Sequence, residues 1–272
     1  FKQKTAYEML RSLVGSEMCI RDRLYTLRDH LKTPADIAQT LVRVRKIGYT
    51  LVQVSGLPPI DGKELRRMLD DAGLRAIGAH IGIERFRTDF DNQVKFLHDV
   101  GSSYAAIPWL PAEERKDAAG WKRLAKEMTR IGKALRKEGI ILQYHNHDFE
   151  FQRFSGRTGL EILYAESDPE YLQAEIDTCW VARGGADPAW WCARLKGRLD
   201  QVHLKDTVML EGQGAVFAEV GEGNLNWPAI LKACRSAGTK HYIVEQDLCP
   251  ITKDPFKSLA ISLRNLHKMG VK

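Results

Sequence analysis

Residues 121–145 read WKRLAKEMTRIGKALRKEGIILQYH, and one complete unit of the fold lies within and around them. An amphipathic helical pattern over 117–138 stops at Gly139, and a β-rich apolar run, Ile140–Tyr144, follows at once. Glycine suits a helix end because it adopts the left-handed backbone conformation that other residues resist. The same unit recurs in both directions along the chain. Apolar runs stand at Leu24–Leu27, Leu51–Val54, Arg75–Ala79, Tyr104–Ile107, Leu172–Ile176, Gln201–Leu204 and Tyr242–Val244. Helical patterns fall between them at 34–47, 61–72, 89–100, 159–166, 187–196, 226–237 and 255–269. The pattern over 34–47 has Thr33 as its N-cap, Pro34 at its first position, and Ile37, Leu41 and Val44 on one face.

Eight strand–helix alternations without a hairpin predict parallel strands joined by right-handed crossovers. Eight is also the number that closes a barrel. An open doubly wound sheet would carry a glycine-rich phosphate loop after its first strand, and the sequence has none there. The expected architecture is therefore α/β, a single (β/α)8 barrel of eight parallel strands spanning residues 24–272. Residues 1–23 fit no part of this pattern. They resemble a translated sequencing-adapter read-through, and Arg21-Asp22-Arg23 abuts Leu24 where a barrel strand should be continuously apolar. The expectation is a non-native N-terminal segment; a native N-terminal helix is the alternative.

Composition narrows the functional classes. With 272 residues, 44% hydrophobic and 28% charged, the chain has the make-up of a soluble domain with a large core. No run approaches the roughly 20 apolar residues that span a bilayer. The segment at the start has no apolar stretch of the secretory kind. Five cysteines without a CxxC pair predict free thiols in a reducing cytoplasm. The net charge is +6, but residues 1–23 hold five basic residues against three acidic ones, so the remainder is only mildly positive. That is no nucleic-acid footprint.

In a parallel barrel, chemistry collects at the C-terminal ends of the strands. Strands five to eight end in ILQYHNH, AEIDT, QVHLKD and IVEQD, which place His145, Asp177, His203 and Glu245 at the mouth. Two imidazoles and two carboxylates suit one divalent ion, with Mn, Co, Zn or Fe(II) favoured over Mg, which prefers oxygen. Taken singly, each residue has a structural reading: a histidine after a strand satisfies hydrogen bonds, and Asp177 or Glu245 caps a helix. Their coincidence on four consecutive strands is what points to a metal.

The motifs LYTLRD (24–29), YHNHDFEF (144–151), EIDTCWV (175–181), HLKD (203–206), GEGNLNW (221–227) and VEQD (244–247) together resemble the sugar phosphate isomerase/epimerase family of xylose isomerase-like barrels. The resemblance implies one metal ion, manganese first, on the four residues named. It also implies a small keto-sugar, sugar phosphate or polyol that is enolised and then isomerised or epimerised. One departure matters. Many epimerases of this family have glutamate at the position of His145, where paired glutamates act on opposite faces of the substrate carbon. A ligating imidazole has no lone pair left to take a proton. His147 is then the candidate base, which suggests a single-base isomerase or a dehydratase or lyase acting on a keto-sugar, keto-glycoside or keto-inositol. The other reading of His147 is a residue that orients a ligand.

Several other mouth residues are candidates, each with a structural alternative. Lys205 is read as a binder of a hydroxyl, phosphate or enolate, and Glu150 as a second acid/base or a loop anchor. Tyr25, Trp109, Phe151 and Trp180 are read as an apolar wall for sugar or as packing, and His80 as a hydrogen-bonding partner of substrate. In GEGNLNW, Asn226 is expected to cap a helix and Trp227 to anchor the loop. Two rival functions are weaker. A nuclease of the endonuclease IV type needs a histidine where Trp180 stands and another between His203 and His241, and neither is present. A non-catalytic sugar-binding barrel would have lost ligands. The expected partner is a small carbohydrate, without nucleic acid or membrane; a homo-oligomer stays open.

Overall fold

The computed structural model describes residues 19–271. Most of the N-terminal segment singled out above, residues 1–18, lies outside them. Eight parallel strands close into a barrel: β1 (Cys19–Arg23), β2 (Leu51–Val54), β3 (Arg75–His80), β4 (Tyr104–Ile107), β5 (Ile141–His145), β8 (Gln173–Asp177), β9 (Gln201–Leu204) and β12 (His241–Val244). Closure is made by β1, which pairs with β12 on one side and β2 on the other.

Helices α1 (Pro34–Ile47), α2 (Gly62–Asp71), α4 (Phe90–Val100), α5 (Ala118–Lys137), α6 (Gly159–Glu166), α8 (Pro188–Arg194), α9 (Trp227–Ala237) and α10 (Pro255–Lys268) follow the barrel strands in turn. Short helices α3 (Ile83–Thr88) and α7 (Thr178–Arg183) lie in the loops at the mouth. Thr33 caps α1 in a reciprocal box with Asp36, as its sequence predicts. Gly238 ends α9 in the left-handed conformation. Gly132 brings α5 against the chain entering β8; a Cβ there would lie 1.8 Å from the Tyr171 carbonyl oxygen.

Two expectations are corrected. Leu24–Leu27 is not a strand: Leu24–His30 winds as a 3-10 helix, and the first barrel strand is the preceding Cys19–Arg23. Leu24 and Leu27 are fully buried in that helix, so their apolarity reports burial rather than a strand. Hairpins are also present. β10 (Asp206–Leu210) pairs antiparallel with β11 (Gly214–Ala218), and β6 (Arg153–Phe154) with β7 (Arg157–Thr158). Both are built within loops at the mouth, so the parallel barrel is unaffected.

The charged first strand has a specific cost. Arg21, Asp22 and Arg23 are all buried. Alternation along a strand sends Arg23 into the barrel, where it meets Glu245 and His80, and Asp22 toward the opposite layer, beside Tyr49. Neither carboxylate oxygen of Asp22 accepts a hydrogen bond from a described residue, and burial, reinforced by Glu245, pushes its pKa well up.

Candidate metal centre

The ends of β5, β8, β9 and the residue after β12 bring His145, Asp177, His203 and Glu245 together, all fully buried or nearly so. Each offers one ligand atom within 4.8 Å of the others. His145 Nε2 lies 3.6 Å from Asp177 Oδ2 and 3.4 Å from Glu245 Oε2. His203 Nδ1 lies 2.5 Å from the same Glu245 oxygen. Both ring nitrogens of His145, and Asp177 Oδ2, are buried without a hydrogen bond among the described residues. Buried polar atoms are rarely left so. Of these, His145 Nε2 and Asp177 Oδ2 lie toward Glu245 and the second imidazole and fit a cation in their midst, and the donor set matches a borderline divalent ion.

Local structure aims these side chains. Asp177 is the N-cap of α7, with Oδ1 accepting from Trp180 N at 2.9 Å and Oδ2 left for the centre. The Asn146 side chain accepts from Asp177 N at 3.0 Å and so ties β5 to β8. The Thr178 hydroxyl bridges the carbonyls of His203 and Lys205 and fixes the end of β9.

Around the cluster stands a ring of charge that sequence reading missed in part. Gln53 donates to Glu175 Oε1 at 2.5 Å, and its Oε1 lies 2.9 Å from His203 Nε2. Glu175 also meets His80 Nε2 at 2.7 Å and His203 Nε2 at 3.3 Å. The grouping of His80, Glu175 and His203 therefore buttresses the far side of His203. The signals were present: Gln53 is the polar residue of an apolar strand, and Glu175 precedes Asp177 by two and so shares its face of the sheet. Asp247, also missed, holds Lys205 Nζ at 2.6 Å. Arg23 makes an ion pair with Glu245 and donates to His80 Nδ1 at 3.0 Å.

These contacts set the charge states. Burial works against ionisation of Glu245 and Glu175, yet Arg23 and Lys205 hold the first, and His203 and His80 the second, well below the usual carboxylate range. Burial likewise opposes charge on Lys205, and Asp177, Glu245 and Asp247 override it, so the ammonium is held charged. His203 is raised to about 9 because Glu175 and Glu245 outweigh its burial.

The other predicted residues divide into two groups. His147 stands beside the cluster, its ring 5.1 Å from that of His145 and 5.3 Å from that of Trp180, and its Nδ1 makes no hydrogen bond among the described residues. Burial and His145 lower it to about 3, not the near-neutral value of an unperturbed ring. Lys205 lies 4.9 Å from the Trp180 ring centre, and its ammonium donates to Glu245 at 3.1 Å and Asp247 at 2.6 Å and stands 3.3 Å from Asp177 Oδ2. Glu150 is buried, accepting from His147 N at 2.9 Å and from the Tyr144 hydroxyl at 2.6 Å, so it anchors the YHNHDFEF loop. His80 has both ring nitrogens engaged. Tyr25 lies against Arg23 and Arg28 near the mouth. Phe151 packs edge-on against Trp191, and Trp109 is 49% exposed beside Arg115.

Asp206, next to Lys205, organises the loops above. Its carboxylate accepts from the backbone N–H groups of Thr207, Gly221, Gly223 and Leu225 and, at 2.6 Å, from the buried Trp227 indole. Trp227 is thus the anchor its sequence context predicts, and Asn226 caps α9. No described helix is long and apolar enough to cross a membrane.

Known proteins resemble the chain in sequence and fold to differing degrees. The chain is 22% identical to the rhizopine catabolism protein MocC of Rhizobium meliloti, over 95% of this chain and 90% of that one. It is 25% identical to the inosose dehydratase of Geobacillus kaustophilus, over 87% of each. A crystal structure of a sugar phosphate isomerase/epimerase from Parabacteroides distasonis superposes with a TM-score of 0.79 at 25% identity, covering 95% of this chain and 97% of that one. Residues 41–261 match the model of the xylose isomerase-like TIM barrel, and the chain belongs to that family.

Proposed function

We propose that this chain is a metal-dependent enzyme that takes a proton from the carbon beside a carbonyl of a small keto-sugar or keto-polyol, and that loss of water follows. The observation that carries the reading is the converging set of His145, Asp177, His203 and Glu245, with unsatisfied ligand atoms facing one point and the His147 imidazole alongside. Manganese is the ion we propose for it, with Co, Zn and Fe(II) suited to the same donors and Mg less so. When bound, the cation supplies positive charge that stabilises the negative charge developing on the substrate's carbonyl oxygen, an effect of several kcal/mol.

The chain's own residues do the rest. His147 is kept neutral by burial, the protonation state that accepts a proton, and Phe149 lies parallel to its ring at 5.6 Å between centroids. Glu150 fixes the backbone that carries it. Lys205 holds Asp177, Glu245 and Asp247 in place. Trp180 stands beside His147 and Lys205 at the edge of the cluster.

Elimination is favoured over two-base epimerisation because His145 stands where a second carboxylate base would be needed. The inosose dehydratase relative supports the same outcome. Isomerisation or epimerisation is the second reading, supported by the Parabacteroides distasonis likeness at 25% identity. The test is incubation of the Mn-loaded protein with keto-inositols and keto-sugars in deuterium oxide. Elimination gives an ultraviolet-absorbing unsaturated product. Deuterium uptake with an isomeric product and no water loss gives the second reading. Absence of both exchange and turnover across the panel sinks proton abstraction itself.

A further inference from the structure

Arg23 is a buried cation on the carboxylate that the proposed ion also needs. It ends β1 with its side chain only 6% exposed, and one guanidinium nitrogen is paired with Glu245 Oε1. The other terminal nitrogen donates to His80 Nδ1, which as an acceptor is part of a neutral ring. Lys205 Nζ reaches the same Glu245 oxygen at 3.1 Å. Two fixed positive charges therefore stand on Oε1, while Oε2 faces the imidazoles of His203 and His145. The two cations differ in what surrounds them. Lys205 has Asp247, which is outside the ligand set, to offset its charge besides Asp177 and Glu245; the ion pair of Arg23 is with Glu245, itself a ligand. Repulsion between a guanidinium and a divalent ion sharing one carboxylate is weakly screened in so buried a place.

We propose that Arg23 is an internal competitor of the divalent ion: it weakens metal binding and restricts Glu245 to ligation through Oε2. The inference rests on the metal reading above and concerns how tightly that site binds. It makes Arg23 a residue that tunes the centre through Glu245, without contact with substrate.

The test is titration of the EDTA-stripped full chain with Mn2+, following free Mn2+ by electron paramagnetic resonance, for wild type, Arg23→Gln, Arg23→Met, Arg23→Lys and Asp177→Ala. The neutral Gln and Met variants are expected to bind Mn2+ about tenfold or more tightly than wild type, while Lys, which keeps the charge, stays near it. Gln and Met differ in polarity, so either alone decides the matter if the other does not fold. Folded neutral variants that bind no tighter than wild type, with binding abolished in Asp177→Ala, overturn the role of Arg23 and leave the metal site standing. Equally negligible uptake by all five proteins overturns the metal site and the competition with it.

Discussion

Gln53 Oε1 lies 2.9 Å from Nε2 of His203, across a barrel whose sequence separates the two residues by 150 positions. The Gln53 amide nitrogen is committed to Glu175, which only accepts, so its oxygen must face the imidazole and hold a proton on Nε2. Nδ1 is the nitrogen then left to face Glu245 and the centre. Replacing Gln53 with leucine removes that constraint while keeping an apolar volume inside β2. Metal affinity is expected to fall about 10- to 100-fold, the usual cost of losing a group that orients a ligating histidine. Calorimetric titration measures it; unchanged affinity in a folded variant would show that His203 needs no orienting partner.

Asp177 and Glu245 are expected to be indispensable to the centre. In Asp177→Ala or Glu245→Ala, bound metal and turnover should disappear together, as elemental analysis beside an activity assay would reveal. A variant that keeps stoichiometric metal but loses activity would assign that carboxylate to chemistry alone.

His147→Ala separates proton transfer from metal binding. The ion should remain, and the rate of solvent deuterium exchange should fall about 10²- to 10⁴-fold, the usual range for removing a general base. Full exchange activity in this variant retires His147 as the base without touching the metal assignment.

Glu150 should leave its mark on the pH dependence of stability. Burial raises its carboxyl from the ordinary 4.5 to about 8. Between those values the folded chain holds a proton that the unfolded chain has released. Stability from this group is thus full below about pH 4.5, declines as pH rises, and is exhausted above about 8. The decline is about 5 kcal/mol. Glu150→Gln, neutral throughout, should lose less stability than wild type between pH 5 and 8.5 in urea unfolding. Parallel losses in the two proteins would place the effect elsewhere.

Asp22→Val addresses the charged first strand. Removing a buried carboxyl without a hydrogen bond among the described residues, and substituting a β-branched residue in a strand, should raise unfolding free energy by about 1–3 kcal/mol. Denaturant midpoints test it, and a lower midpoint would mean that Asp22 has a stabilising partner in the folded chain. An apolar replacement for β1 is the fuller form of the same measurement.

Much of this was legible because function and periodicity coincide in a parallel barrel. His145, Asp177 and Glu245 directly follow an apolar run and His203 lies within one, so finding the run found the ligand. The runs at Leu51–Val54, Tyr104–Ile107 and Gln201–Leu204 are strands with those same ends. Leu24–Leu27 misled because a short apolar run has the same composition in a buried 3-10 turn as in a strand. Gln53, Glu175 and Arg23 were missed for another reason. Their roles depend on which strands become neighbours once the barrel closes, and no local pattern encodes that. The hairpin from Asp206 to Ala218 escaped notice because it is an insertion in a βα loop, marked only by the turn residues of EGQG (211–214).

The Asp206 carboxylate, gathering four backbone amides and an indole one residue beyond Lys205, divides the loop above the barrel into two territories. Toward the barrel, residue spacing is pinned, since an insertion between Lys205 and Asp206 would break either the ammonium's cage or the amide cradle. Away from it, the tip at 211–213 carries no such obligation. Descendants of this chain can therefore lengthen, shorten or recolour that tip, and so explore new substrates, while the machinery beneath keeps its shape.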